Sequence, residues 1–445
     1  MERFILNDLA AWKDRQDRKP LILLGARQVG KTYILKDFGK RYFDNVAYIN
    51  CDNNAIVNDL FTPDYDIERI ITTIGAITGV NVQPGKTLII LDEIQELKRG
   101  ISSLKYFQEN APEYHVAVAG SLLGLTLHEG ESFPVGKVNT LKMYPMTYEE
   151  YLHARGKAQM VDILKQCNWN VIKGLKTKYV QLLREYYVVG GMPEAVKKFV
   201  ETGDINSVRE IQHEILDAYT RDISKHAPAN QAIRINQVWN SVPSQLAKEN
   251  RKFLYGMVKT GARAKDYELA IQWLLDAGLV YKINRVNALG IPLKIHEDIS
   301  AFKLFMLDCG LLGAMNETPP SMLLLPNKEE LGKGDFTENF VCGQIASMSH
   351  TPTYYYSKNN SQLELDFVMQ LGTKVFPIEV KAEENLQAKS LKTTLTENPS
   401  MHGLRFSMSD YRKEERLTNV PLYAAKAFLQ MLVSQQAIVS YTPIS

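Results

Sequence analysis

Between Leu21 and Glu150 short apolar runs, Leu21–Leu24, Val46–Ile49, Leu88–Leu91 and Val116–Ala119, are separated by stretches long enough to hold a helix and its turns. Uninterrupted apolar runs of this length are what strands buried on both faces look like, so the spacing predicts a parallel sheet covered by helices. From Tyr148 to about Ser300 the period becomes helical, with Tyr179, Leu182, Leu183 and Tyr186 among the recurring apolar positions. Inside that region Glu268–Gly278 predicts a helix ended by its glycine, Leu279–Ile283 a strand, and Leu293–His296 a returning strand with Asn284–Pro292 as a wing. A winged-helix module has this order, and so does a helix followed by any hairpin.

After Thr318-Pro319-Pro320 and Pro326 the pattern is mixed again. Glu338–Ser347 predicts a helix, Thr353–Tyr356 a strand, and Leu363–Met369 with Val375–Lys381 a hairpin turning at Gly372. The expected organisation is therefore an α/β domain over residues 1–150, a helical and winged-helix region over 151–318, and a second α/β domain over 319–445. Neither an internal repeat nor a low-complexity stretch interrupts it.

Composition narrows the classes. A chain of 445 residues with 45% hydrophobic and 23% charged positions is an ordinary folded protein of several domains. Its 52 basic and 50 acidic residues leave a formal charge of +2, so no global field draws it to nucleic acid or membrane, and a nucleic-acid site must be a local patch. Met1 to Asp8 reads as the opening of an amphipathic helix and lacks the layout of a secretory signal. No apolar run approaches the roughly 20 residues that span a bilayer, so a cytoplasmic protein without a membrane partner is expected. Cys51, Cys167, Cys309 and Cys342 lie far apart with no pair at metal-ligand spacing, which favours buried small hydrophobes over zinc or disulfides.

The first apolar run leads into Gly25-Ala26-Arg27-Gln28-Val29-Gly30-Lys31-Thr32, and Tyr33–Phe38 can continue as a helix. This is the Walker A pattern in its strand-loop-helix context. Glycines let backbone N–H groups curl around phosphates, Lys31 can reach the β and γ oxygens, and the Thr32 hydroxyl can ligate Mg²⁺ at a helix N-terminus. Sixty residues on, Leu88–Leu91 delivers Asp92 and Glu93 to the carboxyl end of a strand, where open α/β sheets bind ligands. Asp92 is expected to hold Mg²⁺ and Glu93 to activate the attacking water. Ser121, at the end of the run Val116–Ala119, is expected to sense the γ-phosphate. Blander readings are a chance glycine-containing turn, acids that cap the next helix, and a serine N-cap. An extra strand between the two Walker strands implies an additional-strand P-loop NTPase domain, with ATP and Mg²⁺ as cofactors.

The runs GARQVGKT, LIILDEIQ, AGSLLG, FPVGKV, LKMYPMTYEEYL and YYVVGGMPEAV resemble a family of prokaryotic AAA-type P-loop ATPases whose C-terminal domain, of unknown function, has a restriction-endonuclease-like appearance. The resemblance covers nearly the whole chain. It implies that Gln95 is the polar residue following the Walker B acids, and that Gly191 and Pro193 form an element near the adenine. Lys137 stands where the family commonly has an arginine, and lysine keeps the charge of such a sensing cation but not its planar fork. Asp217–Ile223 and Phe302–Leu312 match family segments to which no chemistry attaches.

In Leu363–Met369, alternation puts Glu364 and Asp366 on the polar face, and in the returning strand it puts Glu379 and Lys381 there. A turn near Gly372 then brings Asp366 close to Glu379 and Lys381. Two carboxylates for a hard cation and a lysine for transition-state charge are the constellation of restriction-type nucleases, and Glu338 resembles the helix acid that completes such a site. The competing readings are a solvated polar face and a nuclease fold that only binds. Lys389, Lys392, Arg405, Arg412, Lys413 and Arg416 could meet phosphates, diluted by Glu383, Glu384, Glu414 and Glu415. The function expected is an ATPase that couples its cycle to a nuclease-like domain acting on DNA. The alternative is a signalling-type ATP switch or scaffold whose C-terminal domain is a non-cleaving interaction module, and a homo-oligomer or protein partner stays open.

Overall fold

The computed structural model describes residues 1–52, 54, 56–120, 124, 133–248, 250–324, 333–348, 351–358, 363–384 and 386–440. They form two compact units, Glu2–Tyr144 with Asp276–Leu279, and Pro145–Leu275 with Val280–Ser445. None of the described helices is long and apolar enough to cross a membrane.

In the first unit β1 (Leu21–Leu24), β2 (Asn45–Asn50), β3 (Thr87–Asp92), β4 (His115–Ala119) and β5 (Asn139–Lys142) form one sheet in the order β2-β3-β4-β1-β5. Each pairing is parallel. β4 thus lies between β1 and β3, the extra strand that the sequence implied. Ile22, Ile49, Ile89, Leu91, Val116 and Val118 share one buried cluster, while Leu21, Leu23, Leu88 and Ile90 are equally buried. Burial on both faces explains why these strands read as continuous apolar runs. β5 is not among the expected strands, because its exposure alternates and it pairs only with β1 at the sheet edge.

The second unit opens with helices from Tyr148–Ala154 to Ala264–Asp276 and continues into a sheet. Its strands are β6 (Val280–Val286), β7 (Glu297–Met306), β8 (Thr353–Ser357), β9 (Glu364–Leu371), β10 (Lys374–Val380), β11 (Gly403–Ser407), β12 (Arg412–Lys413) and β13 (Leu417–Pro421), in the order β12-β13-β11-β10-β9-β8-β6-β7. β6 pairs with β8 in parallel, Arg285 opposite Tyr355 and Val286 opposite Tyr356. One sheet therefore runs across the expected boundary at 318, and the hairpin expected as a wing builds the end of that sheet. Val286, Tyr354, Tyr356 and Leu365 share its core, burial that a hairpin standing alone would lack.

Leu293–His296 is a short 3₁₀ turn, and the returning strand is Glu297–Met306. Ala301 to Met306 is buried throughout, so the longer apolar segment takes the strand position in preference to the run beside Pro292.

Two family-like runs find structural work here. Thr147 and Glu150 form a reciprocal capping box at the helix Tyr148–Ala154. Gly190 sits at φ 74, where a Cβ would collide with the Asp308 carboxylate. Asp308 Oδ2 accepts from Gly191 N at 2.6 Å, and Oδ1 accepts from Leu311 N at 2.9 Å, capping the helix Cys309–Met315. Burial pushes the Asp308 carboxyl up to about 6 against these backbone donors, which pull it down. Pro193 then occupies the first turn of the next helix.

Candidate nucleotide and carboxylate sites

The loop after β1 is shaped by left-handed residues, Gln28 at φ 66 and Gly30 at φ 95, together with Gly25 at φ 145. A side chain on Gly25 would collide with the Met143 carbonyl, so this position accepts only glycine. The helix Lys31–Tyr42 follows directly, with Ile34, Leu35 and Phe38 buried. Amphipathic packing thus fixes the helix so that its first N–H groups, which have no partner within the helix, belong to the loop.

Lys31 is only 7% exposed, and its ammonium donates to Gly25 O and Ala26 O, both at 2.8 Å. Burial pulls its pKa down to about 8, with Glu93 and Asp92 opposing the shift. The loop's own carbonyls hold a cation in a place where water does not reach it, and an anion entering the loop offers that cation better acceptors. Thr32 Oγ1 donates to Asp92 Oδ2 at 2.7 Å. Register puts Asp92 at the carboxyl end of β3 opposite Ala119. A hydroxyl and a carboxylate oxygen in contact form a hard-donor set that fits Mg²⁺ sharing phosphate oxygens. Glu93 sits at φ 54, and its Oε2 accepts from Gln95 Nε2 at 2.6 Å.

Arg27 and Val29 complete the loop in sequence, and Ser121 lies outside the described residues. Lys137 pairs with Glu109 at 2.9 Å, both partly exposed. Sequence reasoning missed two neighbours. Tyr48 on β2 donates to Asp92 Oδ2 at 3.2 Å, and burial first, then Asp92, pushes its phenol up to about 12. The guanidinium of Arg3 is buried and donates to Val29 O at 2.9 Å and Tyr144 O at 2.6 Å. An aromatic near the end of a strand beside Walker B hinted at the first; nothing local pointed to the second.

In the second unit Ile378 lies opposite Phe367, which sets Asp366 against Glu379 as the alternation predicted. Asp366 Oδ2 accepts from Val380 N at 2.7 Å, and Lys381 Nζ lies 2.7 Å from Glu379 Oε1. Glu338 joins them from the helix Lys333–Ala346. Burial first and Asp366 second raise both the Glu338 and the Glu379 carboxyls. All four expected residues therefore come together.

Others reach them as well. Arg251 Nη1 lies 2.8 Å from Glu338 Oε1 and its Nη2 3.4 Å from Asp335 Oδ1, while Lys303 Nζ lies 2.6 Å from Glu364 Oε1. A lone lysine inside the apolar strand Phe302-Lys303-Leu304-Phe305 was the available signal. Among the described residues no group of three His, Cys, Asp or Glu side chains could hold a metal ion. Of the basic residues considered for phosphates, Arg405 is buried and donates to Asn419 Oδ1 at 3.0 Å and Leu386 O at 2.6 Å. Arg416 donates to Leu395 O at 2.7 Å.

Residues 17–152 match the AAA domain family, which supports an AAA-type ATPase domain in this region. Residues 180–322 and 333–424 match two domains of unknown function, DUF8612 and DUF4143. An uncharacterized protein of Methanocaldococcus jannaschii is 26% identical over 196 residues, covering 41% of this chain and 40% of that protein. The chain thus spans well under half the length of that relative. Among solved structures, the Walker-type ATPase PABY2304 of Pyrococcus abyssi is 13% identical, with a TM-score of 0.44 over 70% of this chain and 94% of its own. The Aeropyrum pernix ORC1 protein in complex with DNA is 14% identical, with a TM-score of 0.27 over 72% of this chain and 92% of its own.

Proposed function

We propose that this chain binds ATP with Mg²⁺ in the loop Gly25–Thr32 and hydrolyses it, and that the nucleotide cycle governs what the unit 145–445 engages. The observation carrying this reading is the 2.7 Å contact of Thr32 with Asp92, which joins loop and neighbouring strand beside the buried Lys31 ammonium. Thr32 and Asp92 would hold the metal, which when bound neutralises phosphate charge and polarises the terminal phosphoryl group. Gly25 to Gly30 wrap the phosphates with backbone N–H groups, and Lys31 turns from the loop carbonyls to the β and γ oxygens. Glu93 takes a proton from the attacking water, and Gln95 sets the direction of that carboxylate.

A DNA-directed machine and an ATP-controlled interaction switch differ in what the second unit does. The internal bonding of Arg405 and Arg416 favours the switch, because it removes two cations from the patch that would meet a phosphate backbone. The test is ATP turnover with and without duplex DNA across a salt series, with solution mass recorded with and without ATP. Turnover unmoved by DNA, together with a mass or partner affinity that follows ATP, supports the switch. Stimulation by DNA that fades as salt rises would establish the machine instead. Absence of turnover in every condition would remove hydrolysis from the account.

A further inference from the structure

We propose that Lys303 and Arg251 are resident counter-cations of the carboxylate cluster on the C-terminal sheet, so that this cluster takes no divalent metal and is not a metal-dependent nuclease centre. The inference goes beyond the nucleotide site and does not depend on it.

Lys303 is 0% exposed. An ammonium without water is retained only where anions hold it, and Lys303 has Glu364 at 2.6 Å with Glu338 and Asp366 also attracting it. It approaches from β7, a strand outside the hairpin that supplies Asp366 and Glu379. Arg251 arrives from a third segment and spans Asp335 and Glu338 on successive turns of one helix. The helix acid that a metal would need is therefore already in a charge-assisted pair.

The remaining contacts point the same way. Glu379 gives one oxygen to Lys381, and Asp366 gives one to the backbone N–H of Val380. Glu338 meets Asp366 as well as Arg251, and the buried Glu379 Oε2, which has no hydrogen-bond partner, belongs to a carboxylate whose other oxygen faces Lys381. A hard dication requires several oxygens converging at about 2.0–2.6 Å, and among the described residues no such group of three exists. Arg251, Lys303 and Lys381 each offset the charge of a carboxylate in the cluster, which weakens its pull on an incoming cation. Lys303 and Glu338 are both buried, so neither faces a scissile phosphate. Arg251 thus ties its own segment to the helix Lys333–Ala346, and Lys303 joins β7 to β9 through Glu364; removing either cation leaves buried carboxylates without their counter-charge.

The experiment uses the full-length, nucleotide-free protein and Mn²⁺, with free ion counted by electron paramagnetic resonance. Wild type and Asp366→Asn should give the same binding isotherm, since no ion depends on Asp366. Lys303→Met should gain one Mn²⁺ per chain, and adding Asp366→Asn to that variant should remove it. A Mn²⁺ site in the wild type that Asp366→Asn abolishes would overturn the proposal. So would a folded Lys303→Met protein that gains no ion. If Lys303→Met does not fold, the wild-type and Asp366→Asn isotherms decide alone.

Discussion

Thr32 Oγ1 and Asp92 Oδ2 lie 2.7 Å apart, which links the first turn of a helix to the end of a strand sixty residues later. Each is fixed by packing, the threonine through Ile34, Leu35 and Phe38 and the aspartate by its place on the fully buried β3. If these two atoms share the metal, Thr32→Ala should weaken the Mg²⁺ dependence of ATP turnover by roughly tenfold to a hundredfold. Thr32→Ser, which keeps the hydroxyl, should retain most of it. Unchanged magnesium titrations for Thr32→Ala would sever the metal from this pair.

The Lys31 ammonium, with its pKa near 8, should make nucleotide binding depend on pH. Below that value the ligand-free loop already carries the charge that the phosphates need; above it a proton must first be taken up. Affinity should therefore fall by up to about tenfold per pH unit above 8, and binding at pH 8 should consume part of a proton. Calorimetry in two buffers of different ionisation enthalpy measures that proton directly. Identical heats in both buffers would contradict the assignment.

Arg3 braces the loop from beneath through Val29 O and Tyr144 O. Arg3→Ala leaves two carbonyls without their charged donor, at a cost of about 1.5 to 3 kcal/mol in stability, and it should weaken MgATP affinity by loosening the loop. Arg3→Lys should restore only part, because one ammonium does not span both acceptors as the fork does. Nucleotide affinity measured beside chemical denaturation separates the effects. Full affinity in a destabilised Arg3→Ala protein would leave Arg3 a purely structural residue.

Gly190 and Gly203 both have positive φ, 74 and 68. A Cβ on Gly203 meets nothing within 4 Å, whereas one on Gly190 meets the Asp308 carboxylate. Gly203→Ala should cost about 1 kcal/mol. Gly190→Ala should exceed about 3 kcal/mol, because strain is added to a displaced buried acid. Equal losses in urea unfolding would mean that the Asp308 contact yields easily.

What the sequence made legible was what depends on period and neighbours. Strands β1 to β4 announced themselves because burial on both faces forces an apolar run, and Asp366 met Glu379 because a two-residue alternation across a short turn has few alternatives. The loop residues were readable since their types follow from phosphate chemistry. Arg3, Arg251 and Lys303 were not, because their partners lie far away in the chain and are supplied by tertiary packing. The hairpin Val280–Met306 was expected as a separate wing for the same reason: its partner β8 lies some fifty residues beyond it, and no local pattern reports which edge a strand will join.

The most direct measurement of the central claim is Mg²⁺-dependent binding and turnover of ATP by the purified full-length chain, compared with Lys31→Ala and Glu93→Gln. The account predicts saturable binding with turnover in the wild type, no binding in Lys31→Ala, and retained binding without turnover in Glu93→Gln. Nucleotide affinity that survives the loss of the Lys31 side chain and ignores magnesium would contradict it.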